Sequence, residues 1–319
     1  MQFCNREKAQ PGECDTILRE VLAQRIAAIA DSMGIVLEQT AISVNIKERR
    51  DFSCAVFSAE GKLIANAPHV PVHLGAMGQT VQSILQRFPH LQPGDSFITN
   101  DPYAGGSHLP DVTVVRPVFS PTGQLIFFTA NRAHHAEIGG LAPGSMSPLT
   151  KNLEEEGVLL PPLFLTRGGQ DCSQEIYSRL KSARYPSRNP DENMADIAAQ
   201  AAACARGAEA LLELAEEITL PVLLEYLEHI QAAAEQKVLQ WIAKQDRQTC
   251  RFQDTLDDGT PICVECRFEQ KRLKIDFTGS GPPVSGNFNA NPAIVSAAVL
   301  YVIRCMITDN LPLNDGAMR

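Results

Sequence analysis

Apolar side chains at Ile17, Val21, Leu22, Ile26, Ile29, Met33 and Leu37 recur at close to helical period, which predicts a long amphipathic helix over residues 15–39 with Asp15 able to cap its start. The pattern then changes to alternation. "DFSCAVFSAEGKLIANA" (51–67) folds around Ala-Glu-Gly as a β-hairpin, and a helix follows over about 75–88. "QPGDSFITND" reads as turn, short strand and loop. In "VTVVRPVFSPTGQLIFFTAN" (112–131), Ser-Pro-Thr-Gly joins two β-rich runs; the fixed proline φ and permissive glycine make this a turn, so the runs are antiparallel neighbours. Pro117 cannot donate to a ladder and marks an edge or bulge. Residues 190–245 are Ala-, Leu- and Glu-rich and helical, with Pro221 opening a second helix. Strands return at 249–256, 262–268 and 272–277, before an apolar helix over 292–307. Segregated strand and helix blocks predict an α+β fold with mixed or antiparallel sheets. One domain over 1–319 is expected, with the helical block at 190–245.

Composition narrows the function classes. A 319-residue chain that is 44% hydrophobic and 20% charged buries a sizeable core. The net charge of -9, without a Lys/Arg run, argues against nucleic acid as a partner. The N-terminal stretch has no leader pattern and no apolar run reaches spanning length, so a cytoplasmic location without membrane contact is expected. Nine cysteines without repeating spacing are read as reduced thiols. Cys263 and Cys266 form a CxxC, but a β pattern sends them to opposite faces, and a zinc site would need a second pair.

"TNDPYAGGSHLPDVTVVRP" (99–117) sets His108 and Asp111 at the mouth of a strand. A hairpin symmetric about Pro121 and Thr122 places Phe119 opposite Gln124, Asp111 opposite Arg132 and His108 opposite His135. "SHLPD" then lies beside "NRAHH", and opposed side chains come close enough to share one ion. His108, Asp111 and one of His134 or His135 form the candidate ligand set, and a single bulge would exchange the two histidines. Taken singly, such residues are usually surface or turn residues; their convergence on one strand pair favours chemistry. Mixed His/Asp ligands suit a catalytic divalent ion with open positions. Gly105 and Gly106 would let the backbone approach ion or substrate closely. His69 and His73 are spaced i, i+4, but Pro71 between them argues against a helical metal site, so they read as supporting or structural. "NLEEEG" reads as a solvated charge run. "TGSGPPVSG" lacks the lysine of a phosphate loop, so no ATP site is expected in this chain.

The chain resembles the hydantoinase B/oxoprolinase family, and within it the C-terminal half of 5-oxoprolinases, through "TAISVNIKERRDFSCAVFSAEGKLIANAPHVPVHLGAMG", "NDPYAGGSHLPDVTVVRPVF", "NRAHHAEIGGLAPGSMSP", "EEEGVLLPP" and "SGNFNANPAIVSAAVLYVIRCM". The resemblance implies an ATP-driven hydrolase of a small cyclic amide, 5-oxoproline, working beside a hydantoinase A/oxoprolinase-type ATPase subunit that uses the ATP. It also implies a divalent metal (Mn, Zn, Fe or Mg) on His108, Asp111 and, by position in "AHHAEIGG", His134, with His135 in reserve. Glu137, standing where oxoprolinases often carry aspartate, and His135 are the candidate catalytic proton carriers. An N-methylhydantoinase B, an acetone/acetophenone carboxylase-type subunit and a truncated non-catalytic partner are the alternatives. "NLPLNDGAMR" ends inside a block that family members continue, so truncation is expected. The helix over 292–307 is apolar on nearly every face and should be buried all round, yet only residues 308–319 follow it; an oligomer is therefore expected.

Overall fold

The Asp15 carboxylate accepts hydrogen bonds from the backbone N–H groups of Ile17 at 2.8 Å and Leu18 at 3.3 Å, satisfying donors that a helix start leaves unpaired. Helix α1 (Thr16–Thr40) runs from this cap and buries Leu22, Ile26, Ile29, Met33 and Leu37. The computed structural model describes residues 15–319 except 68, 69, 71, 72, 74, 146, 246–248, 270, 308–310 and 313.

After the single turn α2 (Val44–Lys47) come β1 (Phe52–Ser58) and β2 (Leu63–Ala67), then α3 (Ala76–Arg87) and β3 (Ser96–Thr99). β4 (Asp111–Phe119) and β5 (Leu125–His134) form the second hairpin. The turn α4 (Leu153–Glu156), β6 (Leu163–Arg167), β7 (Gln170–Asp171) and α5 (Ser173–Ser182) lead to the two long helices, α6 (Pro190–Ile218) and α7 (Leu220–Lys244). The break between these helices is sharp: Thr219 adopts φ 75°, and Pro221 lies in the first turn of α7, where its missing N–H costs little. β8 (Thr249–Thr255), β9 (Pro261–Glu269), β10 (Arg272–Asp276) and α8 (Pro292–Met306) complete the chain's main elements.

The first seven strands form one sheet in the order β2-β1-β5-β4-β3-β6-β7, antiparallel throughout, and the last three form a separate antiparallel meander. Strand alternation sends side chains to opposite faces. On one face Thr129 and Asn131 hydrogen-bond the α6 carbonyls of Cys204 and Gln200 at 2.9 and 2.7 Å. On the other, Phe128 and Ala130 pack with Met77, Val81 and Ile84 of α3. The central strands β1, β4 and β5 are therefore buried from both sides.

Two expectations are corrected. The register of β4 with β5 is displaced from the symmetric pairing: Asp111 lies opposite His134 and Thr113 opposite Arg132, and Phe119 faces Leu125 after an irregularity at Val118/Phe119. The turn, longer than Pro-Thr, supplies one residue of the offset, and the irregularity at Val118/Phe119 supplies the second. Ser120 N–H donates to the Gln124 carbonyl, and Gly123 takes φ 83° to close the loop. An offset of two residues keeps each side chain on its face while changing its partner. Pro117 is accommodated because β3 pairs with β4 only over Thr113–Val115. The second correction is α8, which buries Ala293, Ala297, Leu300 and Ile303 but leaves Tyr301, Val302 and Met306 exposed. One face packs in the core shared with Val238 and Ile242 of α7, and the helix is not buried all round.

Candidate metal centre

At the mouth of the β4–β5 hairpin, His108 Nε2, Asp111 Oδ1 and His134 Nδ1 form a nearly equilateral triangle. The separations are 3.2 Å from His108 to His134, 3.0 Å from His134 to Asp111 and 3.2 Å from His108 to Asp111. Donors bound to one ion at about 2.1 Å stand about 3.0 Å apart at right angles and about 3.4 Å apart in a tetrahedron. The triangle matches that range. Among the described residues these three form the one His/Cys/Asp/Glu group whose donor atoms converge in this way. Two imidazole nitrogens and a carboxylate oxygen in mutual contact repel unless a proton or cation lies between them, so the donor set fits a divalent ion.

Electrostatics agree with that demand. Burial disfavours the Asp111 carboxylate, but His73, His108 and His134 around it hold its pKa well below the usual carboxylate range. Burial pulls the His108 imidazole down, yet the hydrogen bond and charge of Asp111, with Asp51 and Glu156 further off, leave its pKa raised. Glu156 in the turn α4 is half-buried, and its pKa is raised by burial against the opposing influence of His108. This end of "NLEEEG" faces the site and departs from the solvated run expected.

The loop carrying His108 is held by groups distant in sequence. Arg132, fully buried, donates to the hydroxyls of Thr113 at 2.8 Å, Ser107 at 3.1 Å and Thr80 at 3.0 Å, and to the Gly105 carbonyl at 2.8 Å. Its partners are all neutral, and burial lowers its pKa to about 10 despite the charge of Asp111. Asn100 Nδ2 donates to the carbonyls of Leu109 at 2.8 Å and Val158 at 2.9 Å. From the far end of the chain, Asn291, the cap of α8, donates to the carbonyls of Gly106 at 3.0 Å and Ser107 at 3.3 Å. Gly105 has φ 87°, and a Cβ there would stand 2.3 Å from the Thr80 nitrogen; one on Gly106 would stand 2.6 Å from the Asp101 carbonyl oxygen. The close approaches these glycines permit are thus to α3 and to their own loop.

The remaining sequence candidates lie as follows. His135 falls on the α6 side of the sheet, fully buried, with Nε2 3.1 Å from Gln200 Oε1 and Nδ1 3.1 Å from Asn193 Nδ2. Burial lowers its pKa, against the influence of Asp196. Glu137 accepts from Ser187 Oγ at 2.5 Å, from the Gly139 and Arg188 backbone N–H groups at 3.0 and 2.8 Å, and from the Arg188 guanidinium at 3.1 Å. These bonds outweigh its partial burial and depress its pKa. Cys263 and Cys266 lie along β9, opposite Gln253 and Cys250 of β8. His69 lies outside the described residues, whereas His73 is buried against Asp111, with Nε2 3.4 Å from Oδ2. Arg132 and Asn100 were not singled out from sequence; a lone arginine inside the β-rich run that leads from "LIFF" to the paired histidines is the signal that could have found the first.

A family model described as hydantoinase B/oxoprolinase matches residues 15–319. The 5-oxoprolinase of Saccharomyces cerevisiae is 41% identical over 320 residues, covering 96% of this chain and 25% of the yeast protein. The 5-oxoprolinase PfmaA of Pestalotiopsis fici is 40% identical over 329 residues, covering 98% of this chain and again 25% of the relative. The chain therefore spans about a quarter of the length of these relatives. Among solved structures, the ATP-dependent caprolactamase of Pseudomonas jessenii superimposes with a TM-score of 0.86 at 24% identity, covering 97% of this chain and 53% of its own, a likeness of fold. With a family match over all but the first 14 residues and relatives alike along nearly the whole chain, this protein belongs to the hydantoinase B/oxoprolinase family.

Proposed function

We propose that the chain supplies the hydantoinase B-type part of an ATP-driven cyclic-amide hydrolase, opening 5-oxoproline to glutamate beside a hydantoinase A/oxoprolinase-type ATPase part. The observation that carries this reading is the convergent His108, Asp111, His134 triangle, with Asp111 and His134 buried and His108 partly open to solvent, in a chain about 40% identical to proteins named 5-oxoprolinase. A lactam is resonance-stabilised and resists water, so its carbonyl must be activated, here by phosphorylation on the ATPase part. His108, Asp111 and His134 would hold a divalent ion (Mn, Zn, Fe or Mg). When bound, the ion supplies Lewis acidity that polarises a carbonyl or lowers the pKa of water.

The chain's own residues do the rest. Asp111 remains anionic and brings the two imidazoles together. Arg132, Asn100 and Asn291 hold the His108 loop in register with β5, which fixes the triangle before substrate arrives. Glu137 and His135 remain the proposed proton carriers, and their present bonds set the condition: Glu137 must release Ser187 or Arg188, and His135 must exchange Asn193 or Gln200.

The test is reconstitution. The chain combined with the ATPase part is expected to form glutamate from 5-oxoproline with stoichiometric ADP, and His108→Ala and Asp111→Ala are expected to abolish it. ATP alone should give no binding heat with this chain. Turnover of N-methylhydantoin, caprolactam or acetone in place of 5-oxoproline would reassign the substrate, and full activity in both variants would overturn the site.

A further inference from the structure

We infer that His73 is a positioning residue: with its tautomer set by Ser53, it fixes the outer oxygen of Asp111 and thereby presents the inner oxygen to His108 and His134. The inference rests on the metal reading proposed above and extends it to residues outside the triangle. Asp111 has two oxygens with different surroundings. Oδ1 is a corner of the triangle. Oδ2 is buried with no hydrogen bond of its own, and the polar atom facing it is His73 Nε2 at 3.4 Å, which is itself buried and unpaired. Two orphaned, complementary atoms facing one another in a dry interior are a contact that needs only slight closure to become a hydrogen bond.

The proton positions follow from the partners. An ionised carboxylate only accepts, so Nε2 must carry hydrogen, and in the neutral ring Nδ1 is then an acceptor. Nδ1 lies 3.1 Å from the hydroxyl of Ser53, which is fully buried and free to donate. The chain of donors runs from Ser53 O–H to His73 Nδ1 and from His73 Nε2–H to Asp111 Oδ2.

The placement explains why such a chain is needed. Ser53 is on β1, directly opposite Arg132 of β5, and Asp111 is on β4, directly opposite His134 of β5. His73, entering from the segment before α3, therefore bridges β1 to β4 across the strand that carries one histidine of the triangle. Its Nε2 addresses the oxygen that the triangle does not use, so it orients a ligand rather than being one. Partners of this kind set the direction and basicity of the groups that hold a metal.

Zinc affinity of the full chain, measured by competition with a chromophoric chelator, and the absorption spectrum of the cobalt(II) form test the proposal without any turnover. His73→Ala is expected to weaken zinc binding by about 10- to 100-fold and to alter the cobalt spectrum. His73→Gln, whose amide N–H can replace Nε2–H, is expected to recover most of the affinity. Ser53→Ala should cost less than His73→Ala, because the ring stays but its tautomer is no longer held. Should His73→Ala fail to fold, the ordering of wild type, His73→Gln and Ser53→Ala decides. Wild-type affinity and spectrum in a folded His73→Ala, or in Ser53→Ala where His73→Ala does not fold, would overturn the inference while leaving the metal reading intact. Absence of zinc binding by the wild type would instead overturn the metal reading and this inference with it.

Discussion

The hairpins β4–β5 and β8–β9 are both antiparallel pairs bearing arginine and acidic side chains, and the molecule treats them in opposite ways. On β5, Arg132 is fully buried and bonded to neutral oxygens alone, one turn of pairing away from the anionic Asp111. On β8 and β9, the exposed Arg251 and Arg267 both pair with Glu265, whose side chain lies between them, and the ion pairs hold the glutamate pKa down. The difference is the layers around each sheet. α3 and α6 cover the first pair from both sides, whereas every described position of β8 is exposed. Water screens the second cluster and makes its pairing nearly inconsequential; without water, each donor and acceptor of the first cluster must be matched within the protein.

Substitution at the buried end of this comparison has the largest expected effect. Arg132→Leu leaves the Gly105 carbonyl and three hydroxyls without their donor and Asp111 without a nearby cation, and should cost roughly 3–5 kcal/mol in urea unfolding. A loss no greater than that of an exposed arginine would break the contrast.

Next comes removal of metal. A ligand bound only by the folded state, present at about 100 times its Kd, stabilises by about 2.7 kcal/mol, so a chelator should lower the melting temperature of the wild type and leave Asp111→Ala unchanged. Equal shifts in the two proteins would place the metal elsewhere.

Glu137 is the intermediate case, half-buried with Arg188 and the start of α6. Its folded pKa is depressed, so its contribution is fully present above the ordinary glutamate value of about 4.3 and is lost as pH falls from there through the folded value. The stability gap between wild type and Glu137→Gln should therefore be open at neutral pH and close in acid. A gap independent of pH would show that the carboxylate charge is not what stabilises this turn.

The smallest effect belongs to the exposed meander. Glu265→Gln is expected to leave the unfolding midpoint unchanged within error at moderate salt, and a large drop would mean that this sheet is covered in the folded protein.

Much of this organisation was legible along the chain. Asp15 and the spacing from Leu22 to Leu37 specify α1 through local capping and one apolar stripe, and Pro221 marks the start of α7 because proline is tolerated only in a helix's first turn. His108 and Asp111 were readable as a pair because three residues at a strand mouth keep them adjacent. The choice between His134 and His135 was not readable from the hairpin alone, since it hangs both on a turn closed by Gly123 and the Ser120–Gln124 bond and on the one-residue irregularity at Val118/Phe119. α8 misled for a related reason: a helix apolar all round states that burial is favourable, and only its neighbours decide which face receives it.

By itself, then, the sequence determined what short-range physics can encode: the periodic helices, the two hairpins, the antiparallel α+β character and the residue types able to hold an ion. Tertiary structure decided which of those residues meet. His73 reaches Asp111 across β5, Arg132 joins β4, α3 and the His108 loop through four hydrogen bonds, and Asn291 grips the His108 loop from 185 residues away in the case of Gly106. Such contacts have no local pattern, because their strength comes from exclusion of water by layers that exist only once the whole sheet has been covered.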